Sequence, residues 1–177
     1  YLNVMIMSTF GQTTRSESFN EISSYDFTNQ QAKEIKDEIE GRGKDYILGV
    51  DEDEYKKYLI EKYTLEPLKI DYDSESIEEP TVRKEWIEDR MWGEKYQTDV
   101  YTFTVKYSFI GSAILFKVQP STRKMTSTEI YVNENSSTIS FSFKLSSKDP
   151  KEFNRIKSDY QRKAFSNIDN VAKDTNN

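Results

Sequence analysis

The chain has 177 residues, of which 25 are basic and 31 are acidic, so its net charge is -6, and it contains neither Cys nor His. These counts exclude disulfide scaffolds, thiolate zinc sites, Cys nucleophiles, Ser-His-Asp triads and His general bases within this chain. Aromatic residues make up 14% of the chain. Because disordered segments are poor in aromatic residues, we expect a folded domain with a real core.

The first helix is predicted close to the N-terminus. Thr28 and Gln31 have the spacing of a capping box, so a helix should begin there. Ala32, Ile35 and Ile39 follow at helical spacing and should form its buried stripe.

A second helix is predicted from Asp51, which is followed three residues later by Glu54. Its expected buried face carries four residues at helical spacing: Tyr55, Tyr58, Leu59 and Tyr63. Tyr46 and Ile47 are expected to enter the core from the connection before it, and Pro67 should end the helix.

After Pro67 the pattern changes from helical to alternating. Leu68 and Ile70 predict a short strand, residues 73–76 an exposed loop, and residues 77–88 either a strand or a short helix.

The clearest β region covers residues 100–145. Four consecutive antiparallel strands are expected there, each with one buried face. Residues 100–109 form the first strand, and Gly111 begins the turn that follows it. The inward residues of the three later strands are expected to be Ile114, Phe116 and Val118, then Ile130 and Val132, then Ile139, Phe141, Phe143 and Leu145.

One long C-terminal helix is predicted from Asp149-Pro150, an N-cap followed by proline at the first helical position. Its apolar stripe consists of Phe153, Ile156, Tyr160, Ala164, Ile168 and Val171. The first half should dock on the sheet. The second half is the expected free end, with Ala164, Ile168 and Val171 as a partner surface for another protein, for a following domain of the same chain, or for a weak homodimer.

Charge is unevenly distributed along the chain. Residues 34–89 hold 19 acidic and 9 basic residues, whereas the remainder carries a net charge of +4. The block indicates ordinary solvated faces or, as the sharper alternative, an acidic face that meets a basic partner or repels nucleic acid. Lys106, Lys117 and Lys144 lie near aromatic residues, but the alternation favours aromatics in the core, so we expect no nucleic-acid partner.

Two carboxylate patterns were weighed for chemistry. The acidic segment 71–79 could hold a cation, although Ser76 stands where a calcium loop needs glycine. The acids Glu85, Glu88 and Asp89 lie beside Trp86 and Trp92, as in a sugar hydrolase, but nothing fixes their separation. The six glycines form no phosphate-binding motif. We therefore expect no catalytic residues, no cofactor and no resident metal.

The two ends of the chain bear on its location. No apolar run approaches the ~18 residues of a membrane span, so we expect no membrane partner. The opening residues 2–7 are too short for a signal sequence and lack a basic start, which favours a cytoplasmic location. Because the first residue is Tyr1, either Met5 or Met7 is the native start or the chain is a processed piece.

Several short motifs are shared with a known group of domains. They are Tyr46, Ile47, Leu48 and Asp51; Tyr58, Leu59, Lys62, Tyr63, Leu65, Glu66 and Pro67; Tyr107, Gly111, Leu115, Phe116, Gln119, Pro120 and Ser121; and the helix from Phe153. On these motifs, residues 47–168 resemble an accessory domain of uncharacterised bacterial, defence-type proteins that stands before nuclease-like or TIR-like effector domains. The resemblance implies an accessory module and carries no functional residues.

Together these patterns predict an α+β fold, with N-terminal helices packed on an antiparallel sheet of four to six strands and a long C-terminal helix. The predicted divisions are a partly irregular extension (1–26), an α+β domain (27–147) and a C-terminal helix with a polar tail (148–177). The expected function is a non-enzymatic regulatory or recognition module of a larger bacterial protein linked to phage defence. The alternative is a secreted or surface protein that binds a carbohydrate or a protein.

Overall fold

The computed structural model describes residues 13–43, 49–88 and 93–175. These residues form an antiparallel six-stranded sheet, a separate two-stranded parallel pair, and helices at both ends of the chain, which confirms the α+β class. The elements in chain order are β1 (Thr14–Glu17), β2 (Ile22–Ser23), α1 (Ser24–Gly41), α2 (Glu52–Tyr63), β3 (Lys69–Ile77), β4 (Thr81–Glu88), β5 (Lys95–Ile110), a 3₁₀ helix (Ala113–Phe116), β6 (Val118–Gln119), β7 (Glu129–Asn133), β8 (Thr138–Leu145), α3 (Pro150–Phe165) and α4 (Ile168–Thr175).

The sheet is organised around the long strand β5. The strand order is β1-β7-β8-β5-β3, and β4 also pairs with β5. β3 and β4 lie end to end along one edge of β5, while β8 pairs with the other edge. The last pair with β8 is Tyr101 with Leu145, whereas pairing with β4 continues to Glu88 and Lys95. Beyond Tyr101, β4 and β5 therefore form a two-stranded ribbon.

The core lies between the sheet and α3. The alternating inward residues of β5, β7 and β8 are buried as the sequence predicts: Val105, Tyr107, Phe109, Ile130, Val132, Ile139, Phe141, Phe143 and Leu145. From α3, Phe153 contacts Phe103 edge-on at 4.9 Å between ring centroids, and Phe165 contacts Tyr107 at 5.6 Å. The helix is thus fixed by aromatic contacts along its length.

The first helix begins earlier than predicted. Its N-cap is Ser23, whose side chain accepts a hydrogen bond from the backbone N–H of Asp26 at 3.0 Å. Thr28 lies within the helix and donates its hydroxyl to the carbonyl of Ser24 at 2.8 Å. The capping-box prediction at Thr28 was therefore wrong, because Ser23 already caps the helix one turn earlier. Ala32 and Ile39 are exposed rather than buried.

The second helix confirms its predicted cap and corrects its predicted face. Asp51 Oδ1 accepts from the backbone N–H groups of Asp53 and Glu54, both at 3.0 Å. No residue of α2 is buried, and Tyr58 is 41% exposed. Two of its tyrosines turn instead to a carboxylate of α1, as described below. Tyr46 and Ile47 lie outside the described residues.

The segment after α2 is more extended than predicted. Residues 73–76 belong to β3, not to a loop, and a register shift between Asp71 and Ser76 makes them bulge away from β5. Residues 81–88 resolve the open alternative as strand β4.

The predicted return strand after Gly111 does not form. A 3₁₀ helix follows instead, and the short β6 pairs in parallel with β2. The reason is that β5 has no vacant edge where the return strand would start. Ser108 pairs with Asp71 of β3 on one side and with Thr138 of β8 on the other.

The C-terminal segment starts as predicted and is then interrupted. Asp149 caps α3 by accepting from the backbone N–H of Lys151 at 2.9 Å, and Pro150 begins the helix. Residues 166–167 separate α3 from α4. The predicted divisions at residues 26 and 147 do not divide the core, which runs from Phe19 to Val171, and β1 and β2 lie within the predicted extension.

Candidate functional site

The candidate site is the sheet face that points away from α3, here called the open face. Strict alternation puts one set of β5 and β8 residues in the core and the intervening set on this face. The intervening residues are short and polar: Thr104, Lys106, Thr138, Ser140 and Ser142. Together with residues of β7 and the segments beside it, they line a cavity of about 380 Å³. That volume lies in the range of small-ligand pockets.

Hydroxyl groups dominate the floor of this cavity. Thr104 Oγ1 and Ser142 Oγ lie 2.9 Å apart across the β5–β8 pair. Ser136 and Thr138 share a second hydroxyl contact of 2.7 Å, and Asn133 Oδ1 accepts from the backbone N–H of Ser136 at 3.1 Å. Each hydroxyl can both donate and accept, so the floor can meet either polarity of a ligand group.

Ion pairs surround the hydroxyl floor. Lys106 Nζ lies 2.8 Å from Glu78, and Lys144 Nζ lies 2.6 Å from Glu85 further along the same face. These side chains are exposed, so the pairs add little stability. The surroundings are therefore charged but locally balanced.

The far rim carries a third ion pair with a tyrosine. Arg15 of β1 contacts Glu129 of β7, and Tyr131 donates its hydroxyl to the same carboxylate. The hydrogen bond from Tyr131, followed by the contact with Arg15, lowers the pKa of Glu129. The carboxylate is thus held ionised, as a hydrogen-bond acceptor at the edge of the cavity.

The chemistry of this face is that of binding. Thr104 and Ser142 are hydrogen-bonded to each other, rather than to a carboxylate or an amine that could remove a proton. Nucleophilic catalysis needs such a base beside the nucleophile. The arrangement supplies donors and acceptors on a rigid sheet, which suits recognition of a polar surface or ligand.

The predicted partner surface on the C-terminal helix is placed elsewhere. Ala164 and Val171 are 0% exposed and belong to the core, and Ile168 is half-buried and packs against it. The predicted free end is therefore not free. The break at residues 166–167 turns α4 so that it contacts α1. Asn167 fixes this turn by accepting from the backbone N–H of Lys124 at 2.9 Å and donating to its carbonyl at 3.1 Å.

The acids of segment 71–79 point to different partners. Asp71 accepts from the backbone N–H of Asp73 at 3.1 Å, Glu75 contacts Lys157 at 2.6 Å, and Glu78 contacts Lys106. Among the described residues, no group of three or more acidic side chains is placed to hold a metal ion.

The other weighed residues are also located. Glu85 pairs with Lys144, while Trp86 is 69% exposed on the ribbon. Asp89 and Trp92 lie outside the described residues. The aromatics near the basic residues, Tyr107, Phe116 and Phe143, are buried, which confirms the core interpretation for them. That nucleic acid is not a partner stays a prediction.

Sequence reasoning missed the open face, although a signal was present. The residues between the aromatic positions of β5 and β8 are Thr and Ser at Thr102, Thr104, Ser140 and Ser142. Read as one set, they predict a hydroxyl surface. They were read only as spacers, because which strands lie side by side is a property of the sheet.

No protein-family model, curated protein or solved structure matches this chain. Within the part of the chain that the structure describes, no helix has the length and apolar character needed to cross a membrane.

Proposed function

We propose that this chain is a non-enzymatic recognition module of a larger bacterial protein, cytoplasmic and linked to defence against phage. The observation that carries the recognition role is the open face. It is a rigid sheet surface with hydroxyl groups at its centre and balanced ion pairs around them. The accessory role rests on the resemblance of residues 47–168 to domains that precede effector domains.

The partner that fits this face best is another protein, or another domain of the full-length protein. Protein interfaces combine direct hydrogen bonds with polar, solvated rims. Thr104, Ser140 and Ser142 offer the hydrogen bonds, and Lys106 with Glu78 offers the rim. Burying balanced charges needs no large excess of either sign on the partner.

The absence of Cys from the sequence makes this proposal testable by thiol labelling. Ser140→Cys places one thiol in the cavity, and Lys148→Cys places one thiol on an exposed site after β8. We expect the thiol at position 140 to react more slowly in the full-length protein than in the isolated chain, while position 148 reacts equally in both. Equal rates at position 140 would argue against a partner on the open face.

A carbohydrate ligand on a secreted or surface protein is the second candidate. The hydroxyl floor and the nearby Tyr131 favour it, because sugars present hydroxyl groups and apolar ring faces. A panel of oligosaccharides, titrated into the isolated chain and followed by NMR, tests this candidate. Thr104→Val should abolish any binding, whereas Thr102→Val, on the same strand and face outside the cavity, should not.

Catalysis is expected to be absent from the isolated chain. Turnover of ester, phosphate or glycoside substrates that persists through purification and disappears when Glu78 or Glu85 is replaced by Gln would contradict the non-enzymatic role. The full open reading frame on both sides of residues 1–177 decides between the two contexts. An effector domain after the module supports the first, and a signal peptide before it supports the second.

A further inference from the structure

The outer edge of β4 is open within the described residues. One edge of β4 pairs with β5 over eight residues, from Thr81 to Glu88, and no described strand pairs with the other edge. Such an edge presents a row of backbone N–H and C=O groups that can accept a further strand. Pro80, directly before β4, limits that pairing at one end.

The same strand exposes large apolar side chains. Trp86 is 69% exposed and Val82 is 50% exposed, and both project to the side of the sheet that α3 covers further along. The ribbon formed by β4 and β5 extends past the end of β8 at Leu145. Two-stranded ribbons are marginally stable in water, so an added strand would stabilise this one.

The order of residues along β4 is complementary to itself. Two copies that pair their β4 edges antiparallel around a two-fold axis normal to the sheet keep the same face up. Only residues separated by an even number of positions can therefore face each other. With Lys84 on the axis, Arg83 lies opposite Glu85 of the second copy, and Val82 lies opposite Trp86 of the second copy.

This register joins opposite charges on one face and apolar side chains on the other, and it joins each of these pairs twice. The next allowed register, with Glu85 on the axis, sets two Glu85 carboxylates against each other and Val82 against Glu88. Like charges directly opposite each other destabilise a sheet. The first register sets only Lys84 against its own copy, and Asp99 lies beside Lys84 on β5.

We propose that a second copy of this chain binds the β4 edge, with the two strands centred on Lys84 and the two sheets continuous. This inference is independent of the ligand of the open face. It moves self-association from the C-terminal helix, whose apolar residues belong to the core, to the free edge of the ribbon.

Charge reversal tests the register. Sedimentation velocity of the wild type should show a monomer–dimer equilibrium at concentrations up to about 1 mM. Arg83→Glu and Glu85→Arg, made singly, should each weaken the dimer about tenfold, because each creates like-charge pairs. The double variant should restore it. Lys69→Glu, on β3 outside the paired stretch, should leave the dimer unchanged.

A wild type that stays monomeric, or a dimer indifferent to both single reversals, would overturn the proposal. A single cysteine gives a second readout that needs no charge change at Arg83 or Glu85. Lys84→Cys places a thiol on the axis, so mild oxidation should link two copies. Lys69→Cys should remain unlinked under the same conditions. Linking that is equal at the two positions would mean collision, not a defined register, and would sink the idea.

Discussion

The hydroxyl of Tyr107 donates a hydrogen bond to Oε2 of Glu75 at 2.5 Å, beneath the bulge of β3. Tyr107 is fully buried, and Glu75 also accepts from Lys157 of α3 at 2.6 Å. Burial, followed by the hydrogen bond to Glu75, raises the pKa of Tyr107, whereas the hydrogen bond from Lys157 lowers the pKa of Glu75. One carboxylate thus links the central strand, the bulged edge strand and the helix above them.

Tyr107→Phe should destabilise the domain by about 1–2 kcal/mol, because a buried hydrogen bond to an ionised group is lost while the ring remains. Urea unfolding followed by circular dichroism measures the change. Tyr96→Phe serves as the matched control, since Tyr96 lies on the same strand and is 50% exposed. Equal losses in the two variants would show that the Glu75 contact contributes nothing specific.

Phe141→Ala should cost about 3–5 kcal/mol, because Phe141 is 0% exposed and its removal leaves a cavity among aromatic rings. Phe103→Ala should cost less, since Phe103 is only partly buried at the edge of the core. Thermal unfolding of both variants gives the comparison. A Phe141→Ala protein with an unchanged melting temperature would refute the register of β8.

Gly111→Ala should be strongly destabilising, by about 3 kcal/mol or more. Gly111 has a φ of 110°, and an added Cβ would overlap the backbone carbonyl of Pro67. Gly41→Ala is the control, because nothing lies within 4 Å of a Cβ there and Gly41 ends a helix. We expect Gly41→Ala to stabilise the chain slightly. Similar melting temperatures for the two variants would contradict the close approach at Gly111.

The stability of the α1–α2 pair should fall in acid. Glu38 of α1 accepts hydrogen bonds from Lys62 and Tyr63 at 2.7 Å each and from Tyr58 at 3.1 Å. The bond from Lys62, followed by that from Tyr63, lowers the pKa of Glu38 from 4.5 to about 2. Because the folded-state pKa is depressed, this stabilisation is present above about pH 4.5 and is lost as the pH falls toward 2.

Glu38→Gln should therefore be less stable than the wild type at pH 7 and should lose less stability between about pH 5 and pH 2. Melting temperatures measured across this range give the test. Glu40→Gln, an exposed change on the same helix, should follow the wild-type curve. A Glu38→Gln curve parallel to that of the wild type would mean that Glu38 does not link the two helices.

Local rules in the sequence determined the core strands and two of the three helix caps that were predicted. The alternation through Val105, Tyr107 and Phe109 predicts the buried face, because successive side chains of a strand point to opposite sides. Asp51 and Asp149 were identified as caps because a cap depends on neighbours within three residues.

Only the tertiary structure decided the return strand, the bulge, the burial of Ala164 and Val171, and the open face. Each depends on which segments become neighbours in space. The strand after Gly111 could not pair because β3 and β8 already occupy both edges of β5, and β3 comes from a segment that was predicted to loop. The hydroxyls of Thr104 and Ser142 form one surface because a register fixed by the buried face sets them opposite each other.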